Sequence, residues 1–153
     1  MATLTADTPQ TWVSRGDTID GIFECDGTIY AGQCLQWSTG GVGQVKTPAD
    51  DATTGFAGIA LEGGTDTTKI KVRQQGALLT TVAAGLTVGA GDEKSLMYAD
   101  TSGTANNNPG DCTTTSTNNM PIGQMTEIKV LGSGGTVVVN VQADGFSGAV
   151  TRT

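Results

Sequence analysis

The spacing of the apolar residues constrains the fold of this chain more than any other feature. The apolar residues occur in short runs separated by turn residues such as Gly, Asp and Asn, at positions 22–23, 28–30, 34–37, 56–61, 69–73, 77–82, 95–98, 122–131 and 136–141. Runs of this length between turn residues are typical of β-strands. No segment shows a long helical period with capping residues at its ends. The pattern therefore predicts an all-β fold.

The length and composition indicate one domain with a thin core. The chain has 153 residues, of which 37% are hydrophobic, 5% are aromatic and 23 are glycine. A chain of this length can bury a real core. With so few aromatic residues, that core must be built from Val, Ile, Leu and Ala between many turns.

One segment alternates strictly between charged and apolar residues. In residues 69–73, Ile70 and Val72 are predicted to face inward, while Lys69, Lys71 and Arg73 are predicted to face water. A strand of period two has one buried face and one solvated face. We therefore expect a half-buried strand here and not a central strand covered on both faces.

A weak internal repeat relates the two halves of the chain. Residues 28–33 and 34–37 are similar to residues 87–92 and 95–98, with Leu35 aligned to Leu96. Each half then continues with a strand of small residues and an alternating strand, at 57–60 and 69–73 or at 121–124 and 136–141. The repeat predicts a small antiparallel β-barrel or sandwich of two quasi-repeated turn–strand units whose apolar faces cover each other.

Composition also divides the chain into segments. Residues 1–20 are rich in Thr, Asp and Ala and are predicted to be a flexible N-terminal arm, followed by a β-rich domain at 21–142. Within that domain, the Thr- and Asn-rich stretch 101–120 is predicted to be an exposed loop. Residues 143–153 are predicted to be a flexible C-terminal tail.

The two tryptophans have different surroundings. Trp37 ends a predicted strand, so we expect it in the core or at the end of a barrel. Trp12 lies in the polar arm and either folds back onto the domain or anchors the arm in a pocket of a partner. We predict Trp12 and Arg15 as contact residues for another subunit or a partner. The tripeptide Arg15-Gly16-Asp17 also occurs in cell-adhesion ligands, but a match of three residues is expected by chance.

The sequence lacks the usual means of catalysis. It contains no His, which removes the most common general base and the most common transition-metal ligand. The acidic pairs Asp50-Asp51 and Asp92-Glu93 lie in predicted turns, where solvated carboxylates are the ordinary case. No segment has the ligand spacing of an EF-hand. We therefore predict that the protein is not an enzyme and binds no cofactor or metal.

Cys25, Cys34 and Cys112 are an odd number of cysteines at spacings that match no zinc or redox motif. We predict buried apolar thiols on strands, with a Cys25–Cys34 disulfide across a hairpin as the alternative. The glycine-rich residues 40–43 lack the third glycine and the helix of a dinucleotide-binding fold. They are predicted to be a hairpin turn.

The charge argues against two kinds of partner. The net charge is -7 and the eight Lys and Arg residues are spread along the chain. Such a surface repels nucleic acid and anionic membranes, so neither is expected as a partner. No apolar stretch is long enough to span a bilayer, and the N-terminus lacks the basic and apolar regions of a signal peptide. We expect the protein to be made and kept in a cytoplasm until it is assembled.

Several motifs occur in an order that resembles a known family. They are Ala31-Gly32-Gln33-Cys34-Leu35, then residues 55–61, 69–76, 89–92, 96–104, 122–125 and 136–139. Together they resemble the capsid cement, or head-decoration, proteins of tailed bacteriophages. The resemblance covers residues 21–141. Gln33 stands where the family often has an acidic residue, Glu93-Lys94 lengthens the second turn, and the loop 101–120 is expanded.

The resemblance implies a structural role on a virus particle. Proteins of this family are β-rich and bind the exterior of the mature head, commonly as homotrimers near local three-fold positions. The implied partners are the major capsid protein and other copies of the chain, and the implied location is the virion exterior after synthesis in the host cytoplasm. Because the arm is not covered by the resemblance, it implies no role for Trp12 or Arg15. The alternative is a receptor- or carbohydrate-binding module, or another tail or fibre part. A sugar-binding module would expose a cluster of aromatic residues, and this chain has two Trp and two Tyr.

Overall fold

The computed structural model of the chain describes residues 18–81, 87–101 and 112–144. These residues form a 3-10 turn at Ala90–Asp92 and the strands β1 (Ile19–Cys25), β2 (Cys34–Trp37), β3 (Gln44–Lys46), β4 (Phe56–Ala60), β5 (Lys69–Thr81), β6 (Thr87–Val88), β7 (Leu96–Ala99), β8 (Cys112–Thr113), β9 (Met120–Val130), β10 (Gly132–Ser133) and β11 (Thr136–Gln142). No α-helix occurs in these three ranges. The prediction of an all-β fold is confirmed.

The first five strands close into a barrel. The strand order is β1-β3-β2-β4-β5, and an antiparallel pairing between β5 and β1 completes the ring. The pairs are antiparallel apart from β1 and β3, which run parallel. The glycine-rich residues 40–43 connect β2 to its antiparallel neighbour β3. They form the predicted hairpin connection.

A second layer begins at β5, the long strand that also belongs to the barrel. Residues 69–75 of β5 pair with β1 in the barrel, and residues 75–81 pair with β11. From there an open antiparallel sheet continues in the order β11-β9-β7-β8, and β6 and β10 form a separate two-stranded ribbon. We call the strands β5, β11, β9, β7 and β8 the open sheet. One continuous strand thus ties the barrel and the open sheet together.

Two hydrophobic cores lie on opposite faces of β2 and β4. Leu35, Ala57 and Ala60 point into the barrel core, together with Cys25, Ile29, Val45, Ile70 and Val72. Cys34, Phe56 and Ile59 point the other way, into the core under the open sheet. Because one of the two cores covers each face of β4, that strand is buried at every position. The outer face of the barrel at β2 and β4 therefore forms one side of the second core.

The predicted internal repeat is present in the strand pairing. Leu35 pairs with Gly58, and the register between β2 and β4 shifts directly after that pair. In the second half, Met97 pairs with Gly123, and the register between β7 and β9 shifts at the same point. The alignment of Leu35 with Leu96 is therefore wrong by one residue, because the equivalent position is Met97.

The remaining pairs follow the same correspondence. The matching pairs are Ile59–Arg73 with Gln124–Asn140, Ala60–Val72 with Met125–Val139, Asp20–Arg73 with Ala77–Asn140, and Trp37–Val45 with Ala99–Cys112. The second half of β5 thus has the place of β1 in a second five-stranded unit. We call residues 19–75 the first unit and residues 76–142 the second unit.

The strand at residues 69–73 differs from its prediction at one position. Ile70 and Val72 are buried and the two lysines are exposed, as predicted, but Arg73 is completely buried. Its Nε donates to Asp20 Oδ1 at 2.6 Å and its Nη1 donates to the Ala77 carbonyl at 2.7 Å. The prediction that Arg73 faces water is wrong, because β5 passes here from the barrel into the junction of the two units. A buried guanidinium needs such partners.

The prediction of an exposed loop at residues 101–120 is also only partly correct. Residues 114–118 are exposed, and residues 102–111 lie outside the described ranges. Thr101, Cys112, Thr113, Asn119 and Met120 are buried. The prediction is wrong for these five residues because β8 pairs with β7, which brings a polar segment into the sheet.

Candidate contact surface and buried thiols

The two ends of the described domain meet at Gln75. Ile19 pairs with Gln75 from β1 on one side, and Gln142 pairs with it from β11 on the other side. Neighbouring strands are about 4.8 Å apart, so Ile19 and Gln142 lie about 10 Å from each other. The arm and the tail thus start from one place. Trp12, Arg15 and the tripeptide 15–17 lie outside the described residues.

Asp144 holds the last described residues against the barrel. Its carboxylate accepts hydrogen bonds from the backbone N–H of Gly55 at 2.8 Å and of Phe56 at 3.1 Å. Its own N–H donates to the Phe56 carbonyl at 2.7 Å. Its carbonyl accepts from Trp37 Nε1 at 3.3 Å. The start of the predicted tail is therefore fixed to β4, and the chain leaves beside Trp37.

Trp37 has the position that the sequence predicted for it. It is half-buried and packs against the barrel core. Its ring contacts Phe23 edge-on, with ring centroids 5.1 Å apart and an interplanar angle of 84°. Because Trp37 is engaged in this contact and in the bond to Asp144, it is a packing residue of the barrel end.

Exposed apolar side chains mark a candidate contact surface beside the chain ends. On β1, Ile19 is 42% exposed and Ile22 is 60% exposed. At the far end of β9, Val130 and Leu131 are 55% and 60% exposed. We call Ile19 and Ile22 the β1 patch. Strand alternation could have found Ile22, because its neighbour Phe23 points toward the barrel core.

The acidic pairs singled out in the sequence lie in turns of the described structure. Asp50 and Asp51 are exposed in a turn, where the Asp51 N–H donates to the Thr101 carbonyl. Asp92 accepts a hydrogen bond from the Gly89 N–H at 2.8 Å and so stabilises the 3-10 turn. Within the described ranges, no three His, Cys, Asp or Glu side chains are grouped to hold a metal ion. These carboxylates have structural roles or face solvent.

The three cysteines are all buried thiols, as predicted. Cys25 lies in the barrel core, and burial raises the pKa of its thiol, with further contributions from the negative charges of Asp66 and Glu24. The alternative Cys25–Cys34 disulfide is absent, because Cys34 points to the other face of the barrel wall. There its Sγ lies 3.7 Å from the Sγ of Cys112. The sequence spacing gave no signal of this second pair.

The part of the chain that the structure describes contains no helix with the length and hydropathy needed to cross a membrane.

One comparison with known proteins bears on the fold. No family model matches the chain, and no curated protein matches it. Among solved structures, the chain is similar to a chain of the capsid of Myoviridae Phage XM1, with a TM-score of 0.62 and 17% sequence identity. The similarity covers 93% of this chain and 94% of that chain. At this identity the likeness establishes a shared fold, which is the two-unit β architecture described above.

Proposed function

We propose that the protein is a structural component of a bacteriophage particle that decorates and stabilises the exterior of the mature head. The observation that carries this proposal is the near end-to-end similarity to a chain of the XM1 phage capsid. Coverage above nine-tenths of both chains means that the two share a whole architecture and not one common motif. The order of motifs in the sequence supports the same role.

The position of the two chain ends supports a role in which the protein contacts neighbouring subunits. The predicted arm, residues 1–20, is too long at its end, because Ile19 and Asp20 belong to β1. Residues 1–17 precede the described chain and can span at most about 60 Å if extended. The arm starts at Gln75, next to the β1 patch and close to the start of the tail. An arm and a tail that begin close together can act on one neighbouring subunit. We propose that Trp12 and Arg15 contact that subunit.

The proposed partners are the major capsid protein and other copies of this chain, assembled as a homotrimer on the head. Many weak contacts repeated by symmetry give a large total stability without any catalytic group. The net charge of -7 suits a surface that has no need to bind nucleic acid or membrane. The proposed role is accordingly not enzymatic.

Co-sedimentation with heads tests this function. Mature heads of the phage that encodes the chain, stripped of their own copy, are incubated with increasing amounts of the purified protein. We expect saturable binding of many copies per head, and heads that then resist heat or chelator better than bare heads. Absence of binding would reject the decoration role and favour the tail or fibre alternative.

Substitutions in the arm test the contact residues. We expect Trp12→Ala and Arg15→Ala to reduce the number of bound copies without changing the melting temperature of the free protein. Gln10→Ala, in the same arm, is the matched control and should bind like the wild type. If deletion of residues 1–17 leaves both binding and assembly unchanged, the arm is not a contact element.

A further inference from the structure

We propose that Cys34 and Cys112 are a site of oxidative modification, at which exchange with a small disulfide closes an intramolecular disulfide between the barrel and the open sheet. This inference is independent of the proposed function, because it concerns two thiols inside one chain.

The geometry brings the two sulfur atoms together. Cys34 Sγ and Cys112 Sγ lie 3.7 Å apart, and both residues are buried to at least 99%. A disulfide bond is about 2.05 Å long, so the sulfurs must approach by about 1.7 Å for the bond to form. The neighbouring Thr80 hydroxyl lies 3.7 Å from Cys112 Sγ, so a polar group accompanies the pair.

The reaction is two successive thiol–disulfide exchanges. The thiolate of Cys112 attacks one sulfur of a small disulfide such as oxidised glutathione, the sulfur–sulfur bond of the reagent breaks, and one small thiol leaves. The thiolate of Cys34 then attacks the sulfur of Cys112 and expels the second small thiol. The two protein sulfurs are oxidised, the reagent is reduced to two thiols, and these carry away the protons of both cysteines.

The fold indicates which thiol reacts first. Cys112 lies on β8, a strand of two residues at the edge of the open sheet. Cys34 pairs with Ile59 and lies on β2, a strand of four residues with β3 on one side and β4 on the other. Short edge strands open locally at a low cost in free energy, while strands paired on both sides open rarely. The reagent therefore reaches Cys112 first, and Cys34 resolves the mixed disulfide.

The third cysteine is a built-in control. Cys25 lies in the barrel core, on a strand that pairs with β3 on one side and β5 on the other. Its thiol has a raised pKa, which leaves less of the reactive thiolate near neutral pH. Cys25 should remain reduced under conditions that oxidise the other two.

The bond would connect the two units directly, beside Thr80 of the strand they share. Cys34 belongs to the first unit and Cys112 to the second, and the chain between them contains most of both units. A cross-link that closes so long a loop restricts the unfolded chain strongly. We expect the oxidised protein to melt about 5 °C or more above the reduced protein.

The test is oxidation of the purified full-length protein by oxidised glutathione, followed by intact-mass measurement and peptide mapping. We expect a loss of the mass of two hydrogen atoms, a linked peptide that contains Cys34 and Cys112, and the same result in Cys25→Ser. Cys112→Ser should form no intramolecular bond. If that variant fails to fold, the wild-type map and the Cys25→Ser variant still decide the question. Three unchanged thiols, a stable glutathione adduct without closure, or a bond to Cys25 would each overturn the proposal.

Discussion

Gly58 and Gly123 make the same close approach to a neighbouring strand, one in each unit of the protein. Gly58 has φ +136° and Gly123 has φ +154°. A Cβ atom on Gly58 would overlap the carbonyl oxygen of Arg73, and one on Gly123 would overlap that of Asn140. Arg73 and Asn140 are themselves at equivalent positions. In both units, therefore, the backbone of the neighbouring strand lies too close to the glycine to leave room for a Cβ atom.

Substitution of either glycine should therefore destabilise the protein. We expect Gly58→Ala and Gly123→Ala each to lower the free energy of unfolding by about 2–4 kcal/mol, through backbone strain and overlap with the next strand. Gly91→Ala is the control, since a Cβ there meets no atom within 4 Å. Denaturant unfolding of the three variants measures the effect. Equal stability of all three would show that the close approach is unimportant.

The ion pair of Arg73 and Asp20 should contribute more than a surface pair. The Arg73 side chain is 0% exposed and that of Asp20 is 25% exposed. We expect Asp20→Asn to cost about 2–4 kcal/mol, because it removes the carboxylate charge beside a buried guanidinium. Lys129, whose pair with Glu127 is 42% and 31% exposed, supplies the comparison. Lys129→Gln should cost less than about 0.5 kcal/mol. Similar losses for the two variants, measured by urea unfolding, would contradict this ranking.

The outer face of the first unit is covered by the open sheet, whereas the equivalent face of the second unit is exposed. Exchanging the residue types at two equivalent positions tests this difference. Ile59 is completely buried under the open sheet, whereas Gln124, at the equivalent position, is exposed. We expect Ile59→Gln to cost about 3–5 kcal/mol, since it places an amide in the core. Gln124→Ile should change stability by less than about 0.5 kcal/mol. Thermal unfolding of both variants is the measurement, and a tolerated Ile59→Gln would mean that the outer barrel wall is not packed.

Cys25 should make stability depend on pH in the alkaline range. Its pKa in the folded protein is raised above the ordinary 9.0, mainly by burial. Above pH 9.0 the unfolded chain releases this proton while the folded chain retains it, so the free energy of unfolding falls as pH rises, by at most about 1.4 kcal/mol per pH unit. We expect Cys25→Ala to lose this share of the slope, seen by comparing unfolding at about pH 8 and pH 10. An unchanged slope in Cys25→Ala would show that the thiol does not titrate differently in the two states.

Much of the fold was predictable because it depends on local pattern. The strand at Cys34–Trp37 and the run that contains β4 are short apolar segments between turn residues, and both are strands in the structure. The repeat was visible because the two units use similar turns at similar spacing. Its exact register was not, since the shifts after Leu35 and after Met97, each opposite a glycine, are a property of the strand pairing.

The candidate contact surface and the thiol pair were much less predictable. The sequence indicated an arm that contains Trp12 and Arg15, but the meeting of both chain ends at Gln75 follows from two separate strand pairings. Cys34 and Cys112 are 78 residues apart and share no motif. Their contact exists only because the second unit packs on the outside of the first.

The sequence by itself determined that the chain is all-β, that it is built from two similar units and that it contains no His. Each of these depends on residue type and short spacing, which act through local backbone preference and strand alternation. The tertiary structure alone decided that Arg73 is buried, that Cys112 enters a core and that one face of the barrel is covered while its counterpart is not. These outcomes depend on which surface meets which across long separations in the chain, and a charged or polar residue can be buried wherever that meeting supplies its partners.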